Sequence, residues 1–116
     1  MTEFGMPTLV ELPSLEENAR LAAALGLKFV EINMNLPMYQ AHRLTRERLA
    51  PRDGVYFTLH LDEGLNPFDF NPLVREAYLR MAENTARLAA ESGVPCVNLH
   101  MPEGVHFKLP GRKVYL

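Results

Sequence analysis

Only one cysteine, Cys96, occurs in the chain. No internal disulfide can form, and the paired CxxC spacings of structural zinc sites are absent. Cys96 lies in an apolar stretch and reads as a small buried residue in a reducing compartment. An excess of one charge is also missing: twelve Lys and Arg against fourteen Asp and Glu leave a formal net charge of −2. That balance supplies no general attraction to nucleic acid or to anionic membrane. No apolar run approaches the roughly 20 residues of a membrane span. Met1-Thr2-Glu3-Phe4-Gly5 has neither the basic nor the apolar region of a secretory signal. Low-complexity tracts and linkers are lacking. The expectation is a single cytoplasmic domain over residues 1–116, and 47% hydrophobic residues at this length suffice for a core.

What is present is organised around Val55–Asn71. A β-branched and aromatic run ends at His60, a loop of Asp, Glu, Gly, Asn and Pro follows, and a helix opens at Asn71-Pro72. α/β proteins place their chemistry at the C-terminal ends of buried strands. The pattern recurs at Cys96-Val97-Asn98-Leu99-His100, which runs into Met101-Pro102-Glu103-Gly104.

Ahead of these, Thr8–Leu12 reads as a short first strand bracketed by Pro7 and Pro13. Ser14 with Glu17 three residues on is a capping box, and it opens a helix with an apolar stripe of Leu15, Ala19, Ala22, Ala23 and Leu25. Gly26 fits the left-handed position that ends it. A second strand, Leu27–Asn33, follows at once and carries Glu31, either a solvated residue or one that points into a polar site. Pro37 and Pro51 punctuate the next segment, in which Tyr39–Leu49 has fair helical propensity with Leu44 and Leu49 on one side. Arg43, Arg46, Arg48 and Arg52 make this segment basic, read as a solvated face rather than a phosphate site. Asp53-Gly54 is a turn. After Asn71-Pro72, the residues Val74, Tyr78, Met81, Thr85 and Leu88 form the core stripe of a long helix that stops at Gly93. His106–Leu109 and Lys113–Leu116, about Pro110-Gly111, read as a small hairpin.

The order is strand, helix, strand, weak helix, strand, helix, strand. Such alternation predicts parallel strands joined by crossovers. Two α/β architectures fit. One is a free-standing sheet with helices on both faces. The other is the βαβαβαβ half of a (β/α)8 TIM barrel, with four strands and about three helices. The second is preferred, because the chain stops one strand into its fourth unit.

At the two histidine-ended strands the sequence resembles the xylose isomerase-like TIM-barrel superfamily, which includes sugar isomerases and epimerases and the endonuclease IV class. The residues that carry the likeness are Gly26–Ile32 with Glu31, Leu59-His60 with Asn66-Pro67 downstream, and Ala89–His100. They span nearly the whole chain but match only the N-terminal half of the family's barrel. In the nuclease branch, histidines at the ends of the third and fourth strands bind metal, so the resemblance implies that His60 and His100 are metal ligands. It implies metal-assisted proton transfer on a small sugar as the parent activity. The family's later strands, which carry most isomerase carboxylate ligands, have no counterpart here, and the chain alone is an incomplete enzyme on this reading.

The chemistry is consistent with the spacing. Imidazole is the usual nitrogen ligand of zinc, and neighbouring strands lie about 4.8 Å apart, near enough for two ligands to share one ion. Zinc, manganese or cobalt suits a His-and-carboxylate set. Glu31 or Glu63 is then a further ligand or the general base; of Asp62 and Glu63, adjacent on the chain, only one reaches the site unless the loop turns. His42 and His106 read as surface residues. A nuclease of the endonuclease IV type is the alternative, opposed by the acidic balance and the lack of a basic cluster at the strand ends. A further alternative is a non-catalytic half-barrel that pairs with a second copy or a missing C-terminal half, because open parallel edges are a liability. No nucleic-acid or membrane partner is expected.

Overall fold

A computed structural model describes residues 1–101 and 106–115, the final two strands by backbone alone. Pro102-Glu103-Gly104, Val105, Leu116 and the side chain of His106 lie outside the described residues. The elements are β1 (Gly5–Pro7), α1 (Leu15–Ala24), β2 (Phe29–Asn33), β3 (Tyr56–His60), α2 (Pro72–Ser92), β4 (Val97–Asn98), β5 (His106–Leu109) and β6 (Arg112–Tyr115). The first four strands form one parallel sheet in the order β1-β2-β3-β4, and β5 and β6 form the antiparallel hairpin expected about Pro110-Gly111. This is an α/β fold with the strand order of half a (β/α)8 barrel.

Both helices share one face of the sheet. Val30 and Ile32 of β2 and Phe57 and Leu59 of β3 are in register side by side. They pack in one buried cluster with Leu15, Ala19 and Ala22 of α1 and Ala89 of α2. The opposite face carries Phe29, Glu31 and Asn33 of β2 beside Tyr56, Thr58 and His60 of β3. Alternation along each strand puts these two sets on opposite faces. The arrangement with helices on both faces is therefore not the one adopted.

The first strand lies earlier than expected. Pairing runs over Gly5–Pro7, not Thr8–Leu12. The carbonyl of Phe4 accepts from Lys28 N–H at 2.8 Å, and Thr8 N–H donates to the Glu31 carbonyl at 2.9 Å. Those alternate residues face β2, so Pro7 faces the free edge, where its lack of an N–H is harmless. From Leu9 the chain turns away because a side chain captures it: Asn18 Oδ1 accepts Leu9 N–H at 2.8 Å, and Asn18 Nδ2 donates to the Ser14 carbonyl at 2.8 Å. The capping box is in place, with Glu17 N–H on Ser14 Oγ and Ser14 Oγ–H on the Glu17 carboxylate. Gly26 closes α1 at φ 73°. The buried stripe of α1 is Leu15, Asn18, Ala19 and Ala22, whereas Leu25 is exposed.

The helix expected over Tyr39–Leu49 does not form. Two 3-10 turns, Pro37–Tyr39 and Ala41–Arg43, stand there instead, separated by Gln40 and ended by Leu44, both extended. Arginine side chains bond to backbone carbonyls along the segment. Arg48 donates to the carbonyls of Arg43 and Met38, and Arg52 donates to those of Glu47 and Arg48. Arg52 also pairs with Glu16 and stands over the Phe57 ring at 5.8 Å. Two of the four arginines therefore hold the segment together rather than forming a free basic face. Tyr39, Leu44 and Leu49 are nevertheless buried, which accounts for the apolar spacing. Asp53 and Gly54 both adopt positive φ, and Arg52 and Val55 exchange two backbone bonds of 2.9 Å across that turn.

Helix α2 starts at the expected cap, with Asn71 Oδ1 accepting Leu73 N–H at 3.0 Å, and ends at Gly93. Its stripe is only partly covered. Thr85 and Ala89 are buried and Tyr78 and Leu88 half-buried, but Val74 and Met81 are exposed. The fourth strand is also shorter than expected. It pairs at Val97-Asn98, with the carbonyls of Cys96 and Asn98 accepting from Leu59 and Leu61 N–H. Cys96 is exposed rather than buried, since β4 is the sheet's outer strand and nothing described lies beyond it.

Candidate functional site

His60 is the last residue of β3, and His100 lies two residues beyond β4. Parallel pairing sets His60 beside Asn98, which brings the two imidazoles to one end of the sheet. Their Nε2 atoms are 2.9 Å apart and their rings meet edge to face at 4.7 Å. His60 Nδ1 lies 3.0 Å from the Leu61 carbonyl. A carbonyl only accepts, so Nδ1 carries a proton, and Nε2 is the nitrogen turned toward His100. This is the arrangement usual for a metal-ligating histidine, whose second nitrogen donates to a backbone carbonyl and thereby fixes the tautomer.

The loop after β3 turns so that Glu63 joins them. Ligand atoms of His60, Glu63 and His100 all lie within 4.8 Å of one another. Glu63 is held through its backbone: its N–H donates to Asn35 Oδ1 at 3.0 Å, while Asn35 Nδ2 donates to Asn33 Oδ1 at 2.9 Å. Asp62 points elsewhere. Its Oδ1 takes Gly64 N–H at 2.7 Å, which makes the turn that separates the two acids. Only Glu63 of this pair reaches the histidines, and it does so because the chain turns: on an extended chain Asp62, not Glu63, would share the side of His60.

Glu31 enters the same neighbourhood from β2. With Pro7, Asn33, His60 and Glu63 it lines a cavity of about 130 Å³. Asn98 Nδ2 donates to its carboxylate and spans β3 to do so. β2 is an inner strand, so Glu31 is not a solvated edge residue; it lies half-buried on the face that no helix covers. Thr58, its partner in register, is buried, and its hydroxyl has no hydrogen-bond partner among the described residues. His42 is exposed and lies away from this group.

The donor set suits a small, borderline divalent ion. Two imidazoles and one carboxylate are a common ligand set for catalytic zinc, with a fourth position left for water or substrate. Two nitrogens on one tetrahedral zinc stand about 3.3 Å apart, so the two rings need to part by only a few tenths of an ångström. Asn33, Asn35 and Asn98 were not apparent as site residues in the sequence. Their one signal there is position, since each lies at or just past a strand end. No family model matches this chain, and neither the characterised proteins nor the solved structures compared with it gave a match.

Proposed function

We propose that His60, Glu63 and His100 hold a divalent metal, zinc or manganese. We further propose that the strand ends form the N-terminal part of a site for proton transfer between adjacent carbons of a small sugar. The observation that carries this reading is the convergence of three donors: His60 Nε2 faces His100 Nε2 with the Glu63 carboxylate alongside, while His60 Nδ1 lies at the Leu61 carbonyl. The metal, when bound, polarises a substrate hydroxyl or carbonyl. Glu31 is the proton-transferring group. It lies in the adjoining cavity rather than among the three donors, and its bond from Asn98 holds one carboxylate oxygen and leaves the other free to take a proton. The resemblance to xylose isomerase-like barrels supports the same assignment. A cobalt titration tests it. Visible d–d absorption of a four-coordinate ion at one equivalent, lost in both His60→Ala and His100→Ala, is the expected result. Absorption that persists in both variants, or none in the wild-type protein, overturns the reading.

A second reading, a half-barrel that pairs with another copy or with a missing second half, is favoured by a separate observation. Leu73, Leu79, Leu99 and Met101 are exposed around α2 and β4, beside a sheet with two free edges. Sedimentation over a concentration series distinguishes a self-associating chain from a monomer.

A further inference from the structure

Residues 60–63 divide between two sides of the chain. His60 and Glu63 face the strand-end cavity, while Leu61 and Asp62 line a different one. We infer that this second cavity, between the loop after β3 and helix α2, is a binding site for a small cationic amphiphile. Its ligand is a primary ammonium on an apolar body of about one ring.

Size sets the body. The cavity measures about 180 Å³, a little above the roughly 150 Å³ that admits benzene in an engineered apolar cavity. The walls set its chemistry. Met34, Leu61 and Leu65 are buried there, and Met81 of α2 closes one side. Met34 belongs to the main core cluster whereas Leu61 and Leu65 do not, so the pocket opens at the margin of the core. The two methionines give it adaptable walls that suit a flat aromatic ring.

Charge sets the head group. The titratable side chains that line the cavity are Asp62 and His42, and no Lys or Arg lines it. Asp62 is half-buried, with one oxygen on Gly64 N–H; among the described residues its other oxygen meets no donor. A carboxylate at the rim of an apolar pocket favours a ligand that brings its own N–H donors and a positive charge, since charge-assisted bonds are the stronger kind. Thr85 does not compete for the ligand, because its hydroxyl donates to the Met81 carbonyl at 2.9 Å. An anionic ligand would find only His42 and the amides of Gln40 and Asn84 here, beside the like charge of Asp62. The inference does not depend on metal binding.

The test is a benzylamine titration of the full chain labelled with [¹³C-methyl]methionine. Met34 and Met81 are expected to show ring-current shifts that saturate together. Benzyl alcohol, of the same shape without the charge, is expected to bind about tenfold more weakly, as is benzylamine to Asp62→Asn. The asparagine keeps the acceptor for Gly64 N–H, so the turn survives the change. Asn84 is exposed on α2 and lines the cavity; Asn84→Trp is expected to fill it and abolish the shifts while leaving the backbone spectrum native. Absence of shifts at both methyl groups overturns the site. Equal binding of alcohol and amine, or an unchanged affinity in Asp62→Asn, overturns the cationic assignment.

Discussion

His60 and His100, forty residues apart in the chain, meet nitrogen to nitrogen at 2.9 Å across the end of a parallel pair of strands. With His60 Nδ1 set against the Leu61 carbonyl, the Nε2 atoms of the two rings are left facing each other. A metal held as proposed would replace that contact with a bond from each histidine and a third from Glu63. Its binding free energy then adds to folding stability, because the unfolded chain does not preassemble the three donors. At a hundredfold excess over Kd the gain is about 2.7 kcal/mol, a rise in Tm of about 10 °C for a chain of this length. Scanning calorimetry with and without Zn²⁺ checks it. His60→Ala and His100→Ala are expected to lose the whole shift, Glu63→Gln only part of it, and Asp62→Asn none.

A buried amide determines where the first strand stops. Asn18 is fully buried and makes two bonds to the chain that it redirects, one to Leu9 N–H and one to the Ser14 carbonyl. Asn18→Leu keeps the size but strands a donor and an acceptor, each costing about 1–3 kcal/mol. The expected loss is about 3 kcal/mol by urea unfolding at an unchanged m value. Asn18→Asp is expected to be at least as harmful, because it sets a carboxylate against the Ser14 carbonyl. A loss below about 1 kcal/mol in both variants would mean that the turn does not depend on this side chain.

The same residue explains what the sequence conceals. Ser14, Gly26, Asp53-Gly54, Asn71 and Gly93 act locally, through caps and positive-φ turns, and their structural roles match their sequence signals. Burial alternates along β2 but not along β3, where Phe57, Thr58 and Leu59 are all buried. Asn18 gave no signal in the sequence, because the partner that matters for the turn, Leu9, lies nine residues back and outside any helical period, while its other partner is the Ser14 carbonyl four residues back. The segment Tyr39–Leu49 misled in the opposite way. Leu44 and Leu49 read as one side of a helix, but five residues at 3.6 per turn put them about 140° apart, and they reach the core from turns that Arg48 and Arg52 tie together. His60, His100 and Glu63 were legible as strand-end groups. The asparagines that position them were not, because an amide in a loop has no pattern until its partner is known.

Alkaline pH is expected to destabilise the fold through Tyr39. Burial raises its phenol pKa above the usual value near 10, with Arg48 offsetting part of the shift. The folded state therefore holds the proton more tightly than the unfolded state does. The resulting stability is complete below about pH 10 and is lost as pH rises through the higher folded value. Tyr56 adds to the same limb, chiefly because its hydroxyl donates to Glu3 at 2.7 Å and secondarily through desolvation. Urea midpoints measured between pH 8 and 11 should fall at the upper end. The fall should be shallower in Tyr39→Phe and shallower again when Tyr56→Phe is added. An unchanged slope in the double variant would assign the alkaline limb to other groups.

The outer strand and the helix beside it expose what a barrel half would cover. Leu73 is 78% exposed at the start of α2, Met101 is 77% exposed just past β4, and Leu99 lies between β4 and the candidate ligand His100. Among the described residues nothing pairs with the outward backbone groups of β4, whereas the β1 edge is shorter by one donor because of Pro7. Open parallel edges and exposed apolar side chains favour association, and a two-fold pair of four-stranded halves has the strand number of a closed eight-stranded barrel. Cys96 lies at this edge and is exposed, so its thiol reports on coverage. Reaction with Ellman's reagent should be as fast as in urea at low protein concentration and should slow as concentration rises, in step with a monomer–dimer transition seen by sedimentation. Leu73→Lys combined with Leu99→Lys is expected to move that transition at least tenfold higher in concentration, equivalent to about 1.4 kcal/mol. A thiol that reacts at one rate at every concentration, in a chain that sediments as a monomer throughout, would leave the second reading without support and the metal assignment unaffected.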